Sequence, residues 1–229
     1  MPSSVWCSRS ATAESSRTRV RRDSIDDSSD AGIKSAGSRL ARVIDPVSAR
    51  ELAELWFATS EPRRWHHVRA VGAKAERISR AISWDDSRDC DVLIAAGYVH
   101  DIGYASGLKR TGLHQLDGAR FISNLGDQRL AALVAHHSEA RFEVELRGYE
   151  SELAEYPRED TTVYDALVYC DLTTGPDGTS MTFEDRIHEV HQRYGEGDIS
   201  RALHIAEPYL KAAIDRICQA MNASDLPER

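Results

Sequence analysis

Residues 91–104 read DVLIAAGYVHDIGY. The run from Val92 to Val99 is apolar on every side, the pattern of a helix enclosed by protein. It ends in His100-Asp101. An unpaired carboxylate buried in such a place costs several kcal/mol. A compensating group is therefore expected close by, and the flanking sequence supplies the candidates.

Helical periodicity extends outward from this stretch on both sides, over about 47–59, 62–82, 87–101, 114–125, 127–137, 139–153, 160–173, 182–194 and 198–221. Asp86 is placed to cap the helix that contains the run, and Thr182-x-x-Asp185 resembles a capping box. Gly107, Gly112, Gly126 and the TGPDG of 174–178 punctuate loops, and Pro208 is expected to break or kink the last helical stretch. No alternating strand pattern and no repeat is seen. The reading is all-α, one helical domain over 46–222 with a short tail at 223–229. Residues 1–45, rich in Ser, Arg and Asp, bury too little to offset chain entropy and are expected to be a disordered tail.

Composition narrows the function classes. The chain has 229 residues and a net charge of −8. Residues 1–45 hold eight basic and six acidic side chains, so the body carries an excess of ten acidic ones. That argues against broad nucleic-acid binding, which needs clustered basic residues. A small anionic substrate stays compatible, because a bound cation reverses the local field. Cys7, Cys90, Cys170 and Cys218 form no C-x-x-C pair, so neither a zinc knuckle nor a disulfide framework is indicated. No apolar window spans a membrane. A cytoplasmic protein is expected, and the long C-terminal helices offer a surface for a homo-oligomer.

The chemistry lies in where the polar residues fall. Side chains three or four apart share a helix face. His67 shares one with Val71, Ala75, Ile78 and Ile82; His114 with Gly118, Phe121, Ile122 and Leu125; His137 with Leu130, Leu133 and Val134; Asp171 with Tyr164, Leu167 and Val168. With His100-Asp101, five segments each turn a ligand-type group toward the core. Asp is rarely buried without a partner. A divalent cation would neutralise both carboxylates and accept the imidazole lone pairs. Imidazole and carboxylate without thiolate suit Mn, Fe, Co, Ni or Zn, with Mg as a further candidate. His67, His100, Asp101 and Asp171 suffice for one ion. His114, His136 and His137 can supply a second, bridged by Asp101. His188 and His191 flank the apolar stripe of their helix and read as a solvated face.

At these residues the sequence resembles the HD superfamily of metal-dependent phosphohydrolases. The resemblance rests on His67 in RRWHHVRAVGAKA, the doublet in VHDIGY, and Asp171 in DALVYCDLTTGPDG, in that order. His114 in HQLDGA and the pair in VAHHSEA match members that hold two metals; the spacing to a following Val selects His67 over His66, and the following Ser selects His137 over His136. RGYE at 147–150 is not the Gly-Tyr-Pro motif of the cyclic-dinucleotide branch.

The resemblance implies one or two divalent ions held by His67, His100, Asp101, His114, His137 and Asp171. It further implies hydrolysis of a small, nucleotide-like phosphoester by a metal-activated water that Asp101 orients. His136 is the candidate proton donor, and Lys109 and Arg110 are candidates for binding phosphate. A di-iron oxygenase of the same ligand set, and a non-catalytic metal or nucleotide sensor, are the competing readings.

Overall fold

Asp45 starts the first helix. Its carboxylate accepts the amides of Val47 and Ser48, and Pro46 fills a first-turn position where no amide is needed. The computed structural model describes residues 43–224. Most of the expected N-terminal tail, and the C-terminal tail beyond 224, lie outside the described residues. Ile44, which the sequence assigns to the tail, is buried and donates its amide to Asp127 Oδ2 at 2.9 Å.

Among the described residues there are ten α-helices and no strand, so the all-α class holds. The helices are α1 (Pro46–Phe57), α2 (Pro62–Ser79), α3 (Arg88–Val99), α4 (His114–Leu125), α5 (Gln128–His136), α6 (Arg141–Arg147), α7 (Glu150–Leu153), α8 (Thr162–Leu172), α9 (Phe183–Tyr194) and α10 (Asp198–Ser224). Short 3-10 turns at Ile102–Tyr104 and His137–Glu139 follow α3 and α5. Among the described residues, no helix is long and apolar enough to cross a membrane.

Two expectations are corrected. The stretch 139–153 is not one helix: Gly148, at φ 71°, closes α6 in the left-handed conformation that only glycine adopts cheaply. Pro208 does not end the last helix, which runs through it for 27 residues. Both Pro208 and His204, whose carbonyl loses its helical donor, are exposed, so water can replace the missing bond.

The apolar run singled out above is the centre of the bundle. Helix α3 packs against α1, α2, α5 and α8. Leu93, Val99, Phe57, Val71 and Leu167 are fully buried there, each large side chain contributing about 1.5–3 kcal/mol. Helices α2 and α3 approach closely where Gly97 faces Gly72: an ideal Cβ on Gly97 would lie 3.1 Å from Gly72 Cα. That crossing brings the helix of His67 beside the helix that ends at His100. The glycine after the doublet has a steric reason of its own. A Cβ on Gly103 would lie 1.9 Å from the His114 carbonyl oxygen, so only glycine lets α4 start against the turn that follows Asp101.

Candidate metal centre

The ligand-type residues converge from helix ends more than from helix faces. His67 is within α2, but His100 caps the C-terminus of α3 and Asp101 follows it. His114 is the first residue of α4, and His137 lies just past α5, in extended backbone. Asp171 is in the last turn of α8. The facial periodicity predicted for His137 is thus corrected: α5 stops at His136. All of these residues are buried except His114, which is half-buried.

They form two groups joined by one carboxylate. His67, His100 and Asp171 each offer an atom to a common point, as do Asp101, His114 and His137. Asp101 Oδ2 faces the first group, 3.7 Å from His67 Nε2 and 3.6 Å from His100 Nε2. Its Oδ1 faces the second, 3.4 Å from His114 Nε2 and 3.7 Å from His137 Nε2. Asp171 Oδ1 lies 3.2 Å from His67 Nε2 and 3.7 Å from His100 Nε2. Ser138 Oγ donates to the other oxygen of Asp171 at 2.8 Å.

Backbone carbonyls set the imidazole tautomers. Nδ1 of His67 donates to Gly175 O, of His100 to Gly97 O, and of His137 to Val134 O. A carbonyl can only accept, so these Nδ1 atoms carry the proton and each neutral ring offers an Nε2 lone pair to the cluster. The TGPDG turn therefore serves to hold His67. His100 Nε2 is buried and has no hydrogen-bond partner among the described residues. His114 Nε2 and His137 Nε2 face each other at 3.2 Å. Imidazole lone pairs aimed at carboxylates, with a buried nitrogen left over, are what a cation would satisfy. The residues present fit the divalent ions that their chemistry implies.

Electrostatics follow from the burial. His100 is pushed down to about 4 by desolvation, which outweighs the pull of Asp101 and Asp171. Burial also holds His114 well below its ordinary value. His137 moves the other way: its contact with Asp101 outweighs burial. Burial would raise Asp101, but Arg64 and the imidazoles hold it well below the carboxylate range. Asp171 is lowered against its burial by the close approach of His67 and His100.

The cluster lies at one side of a cleft of about 700 Å³, open mouth included. Three guanidiniums line it: Arg64, Arg186 and Arg193. Arg64 Nη1 lies 2.5 Å from Asp101 Oδ2, and its guanidinium stacks 3.9 Å over the Tyr104 ring, which in turn stacks on His114. Val190, Ile199, Ala202 and Leu203 of α9 and α10 make the apolar wall.

Three sequence candidates fall elsewhere. His136 is buried on the far side of the turn, its Nε2 2.8 Å from the Tyr156 carbonyl, and it lines a different pocket. Consecutive residues at a helix end point in different directions, so His137 reaches the cluster and His136 cannot. Lys109 and Arg110 are exposed and do not line the cleft; the Arg110 amide instead donates to Asp117. Arg64 takes the basic position, and its signal was readable: it precedes His67 by three, on the same face of α2. Arg186 and Arg193 lie on α9, where only the apolar stripe was read. His66 is exposed, His188 is exposed and pairs with Gln192, and Cys90, Cys170 and Cys218 are free thiols.

A model of the HD domain family matches residues 64–169, a span that opens at Arg64 and stops two residues short of Asp171. No curated protein and no solved structure matches the chain.

Proposed function

The chain carries an HD domain over residues 64–169, and we propose that it is a metal-dependent phosphohydrolase acting on a small, nucleotide-like phosphoester. One observation carries the reading: the two oxygens of Asp101 face two separate ligand groups at the side of an arginine-lined cleft. A structural metal site would be closed, whereas this one borders an open cleft.

His67, His100, Asp171 and Asp101 Oδ2 would hold one divalent ion, and Asp101 Oδ1, His114 and His137 a second. Such ions supply Lewis acidity at a phosphoryl oxygen and acidify water to near neutral pH. Asp101 is placed to orient that water, since one of its oxygens faces each group. Arg64 neutralises Asp101 in the metal-free chain. Were a cation to take over that carboxylate, the Arg64 guanidinium would be free to bind a phosphoryl group, the planar partner for which arginine is suited. His136 takes no part in this scheme, and neither do Lys109 and Arg110. The compact cleft suits a small substrate, and its apolar wall suits an uncharged leaving group.

The test is phosphate release from a panel of nucleoside monophosphates and simple phosphomonoesters, with Mn, Co, Ni, Mg or Fe added to metal-stripped protein. Turnover that needs a divalent ion and disappears in Asp101→Ala, with helical content retained, supports the reading. Undiminished turnover in that variant overturns it. Iron content and oxygen uptake in anaerobically purified protein distinguish an oxygenase.

A further inference from the structure

The turn after His137 is held in an unusual conformation. Ser138 (φ 54°, ψ 29°) and Glu139 (φ 53°) are successive left-handed residues, and no other non-glycine with positive φ occurs among the described residues. Side chains with a Cβ persist there only where their surroundings hold them. Here the hold is visible. Glu139 is 4% exposed. Its Oε1 accepts from Arg158 Nη2 at 2.7 Å and from the Tyr164 hydroxyl at 3.1 Å, and Arg141 Nε lies 2.8 Å from Oε2. The same Tyr164 hydroxyl contacts the His136 carbonyl at 3.0 Å. Tyr164 belongs to α8, the helix of Asp171, and lies on the same face seven residues earlier. The turn is thus fastened to the helix that carries a cluster carboxylate.

The product of this arrangement is one hydrogen bond, Ser138 Oγ to Asp171 Oδ2 at 2.8 Å. It engages the oxygen of Asp171 that does not face the imidazoles and leaves Oδ1 toward His67 and His100. We propose that Ser138 is a positioning residue: its hydroxyl fixes the Asp171 carboxylate so that Oδ1 alone meets the cation, and the left-handed turn clamped by Glu139 delivers that hydroxyl. The inference deepens the metal-centre reading above and rests on it. Partners that orient a ligand in this way set metal affinity by about 10–100-fold.

Two variants separate the hydroxyl from the backbone strain. Ser138→Gly removes the hydroxyl and relieves the left-handed backbone, and Ser138→Ala removes the hydroxyl but keeps the Cβ. Metal-stripped full-length chains are titrated with Mn²⁺ by calorimetry, and their unfolding temperatures are measured without metal. The expected result is a loss of about tenfold or more in Mn²⁺ affinity in both variants, although Ser138→Gly unfolds at or above the wild-type temperature. A purely structural role cannot give that combination. The proposal is overturned if Ser138→Gly binds Mn²⁺ as tightly as the wild type, or if its affinity falls only together with its unfolding temperature. A wild type that takes up no Mn²⁺ removes the metal centre itself, and this inference with it. Should Ser138→Ala fail to fold, Ser138→Gly alone decides.

Discussion

Arg64 Nη1 lies 2.5 Å from Asp101 Oδ2, on the same oxygen that faces His67 and His100. A divalent ion held at this centre would therefore contend with the arginine for one carboxylate atom. In the metal-free chain the guanidinium neutralises Asp101, which is 4% exposed. Removing one partner of a buried pair leaves an uncompensated charge, at about 3–5 kcal/mol, with some reduction because the Arg64 side chain is 17% exposed. Arg64→Met should therefore lower the unfolding temperature of the metal-free chain, with Mn²⁺ restoring most of the loss. Its KM for a phosphoester should rise about tenfold or more, since an arginine–phosphate contact is strong and two-pronged. Equal unfolding temperatures for variant and wild type without metal would remove Arg64 from this role.

Asp101 is the one carboxylate shared by both ligand groups, which makes its replacement diagnostic. Asp101→Asn keeps size and shape but loses the charge that two ions need. Where both ligand groups of the wild type hold an ion, the metal-to-chain ratio, read by elemental analysis after dialysis, should fall from near two to one or less. Phosphate release should fall about a thousandfold or more, the scale of an electrostatic group lost from a catalytic centre. A variant that retains two ions would show that Asp101 does not bridge.

Much of this centre was legible because burial and charge conflict so sharply. Asp101 at the end of an apolar helix, and Asp171 beside Leu167 and Val168, demand a partner that no lone histidine supplies. The helix start at Thr182 was readable from local cap chemistry, and its side chain accepts the Asp185 amide; Asp86 lies one residue before the N-cap, Ser87, and its carboxylate accepts the Arg88 amide from there. Periodicity could not say where α5 ends, because Leu130, Leu133 and Val134 fit His137 as a continuation of the face as well as they fit a turn. Ser138 marked His137 in the sequence but gave no signal of its own left-handed backbone, since nothing in its residue type requires one. Gly148 did give one, and it marks the break in 139–153. The α9 arginines were hidden because their helix has an ordinary amphipathic pattern, and only tertiary packing turns Arg186 and Arg193 into the cleft.

His136 and His137 are adjacent, yet the structure gives them opposite fates. His137 Nε2 faces Asp101 and His114, while His136 bonds the Tyr156 carbonyl away from the cleft. His137→Gln should lose one equivalent of metal and most activity. His136→Gln can still donate to that carbonyl and should keep both ions, kcat within about threefold, and a stability change near the 1 kcal/mol scale of one altered hydrogen bond. Parallel metal analysis and phosphate release decide. A collapse of kcat in His136→Gln with metal intact would return His136 to the proton-donor role.

Exposed basic residues make a separate case. Lys109 and Arg110 follow the doublet in sequence, but their side chains are in solvent and outside the cleft lining. The double variant Lys109→Ala/Arg110→Ala should leave KM within about twofold, because a screened surface charge contributes little. Arg193→Ala should instead raise KM, since Arg193 lines the cleft. Steady-state kinetics on both variants, at two salt concentrations, tests this, and the reverse order of effects would place the phosphate site at the 109–110 loop.

Acidification should unload the centre and then weaken the chain. The sign follows from His100, whose value is lowered from 6.5 to about 4 by burial. In the unfolded chain it takes a proton as pH falls through 6.5, while in the folded chain it resists until about pH 4. The unfolded state therefore binds more protons across this window, and stability falls as pH falls. His100 alone amounts to about 3 kcal/mol, and His114, also lowered by burial, acts in the same direction. His137, raised by Asp101, opposes them but is one group against two. Asp101 and Asp171, both held below 3.8, add their loss only at lower pH still. Protons also compete with the cation for every imidazole. Denaturant unfolding of the metal-free chain should thus show a falling midpoint between about pH 6.5 and 4, and Mn²⁺ affinity should drop over the same range. A midpoint that stays flat or rises there would mean that the histidines are not held neutral.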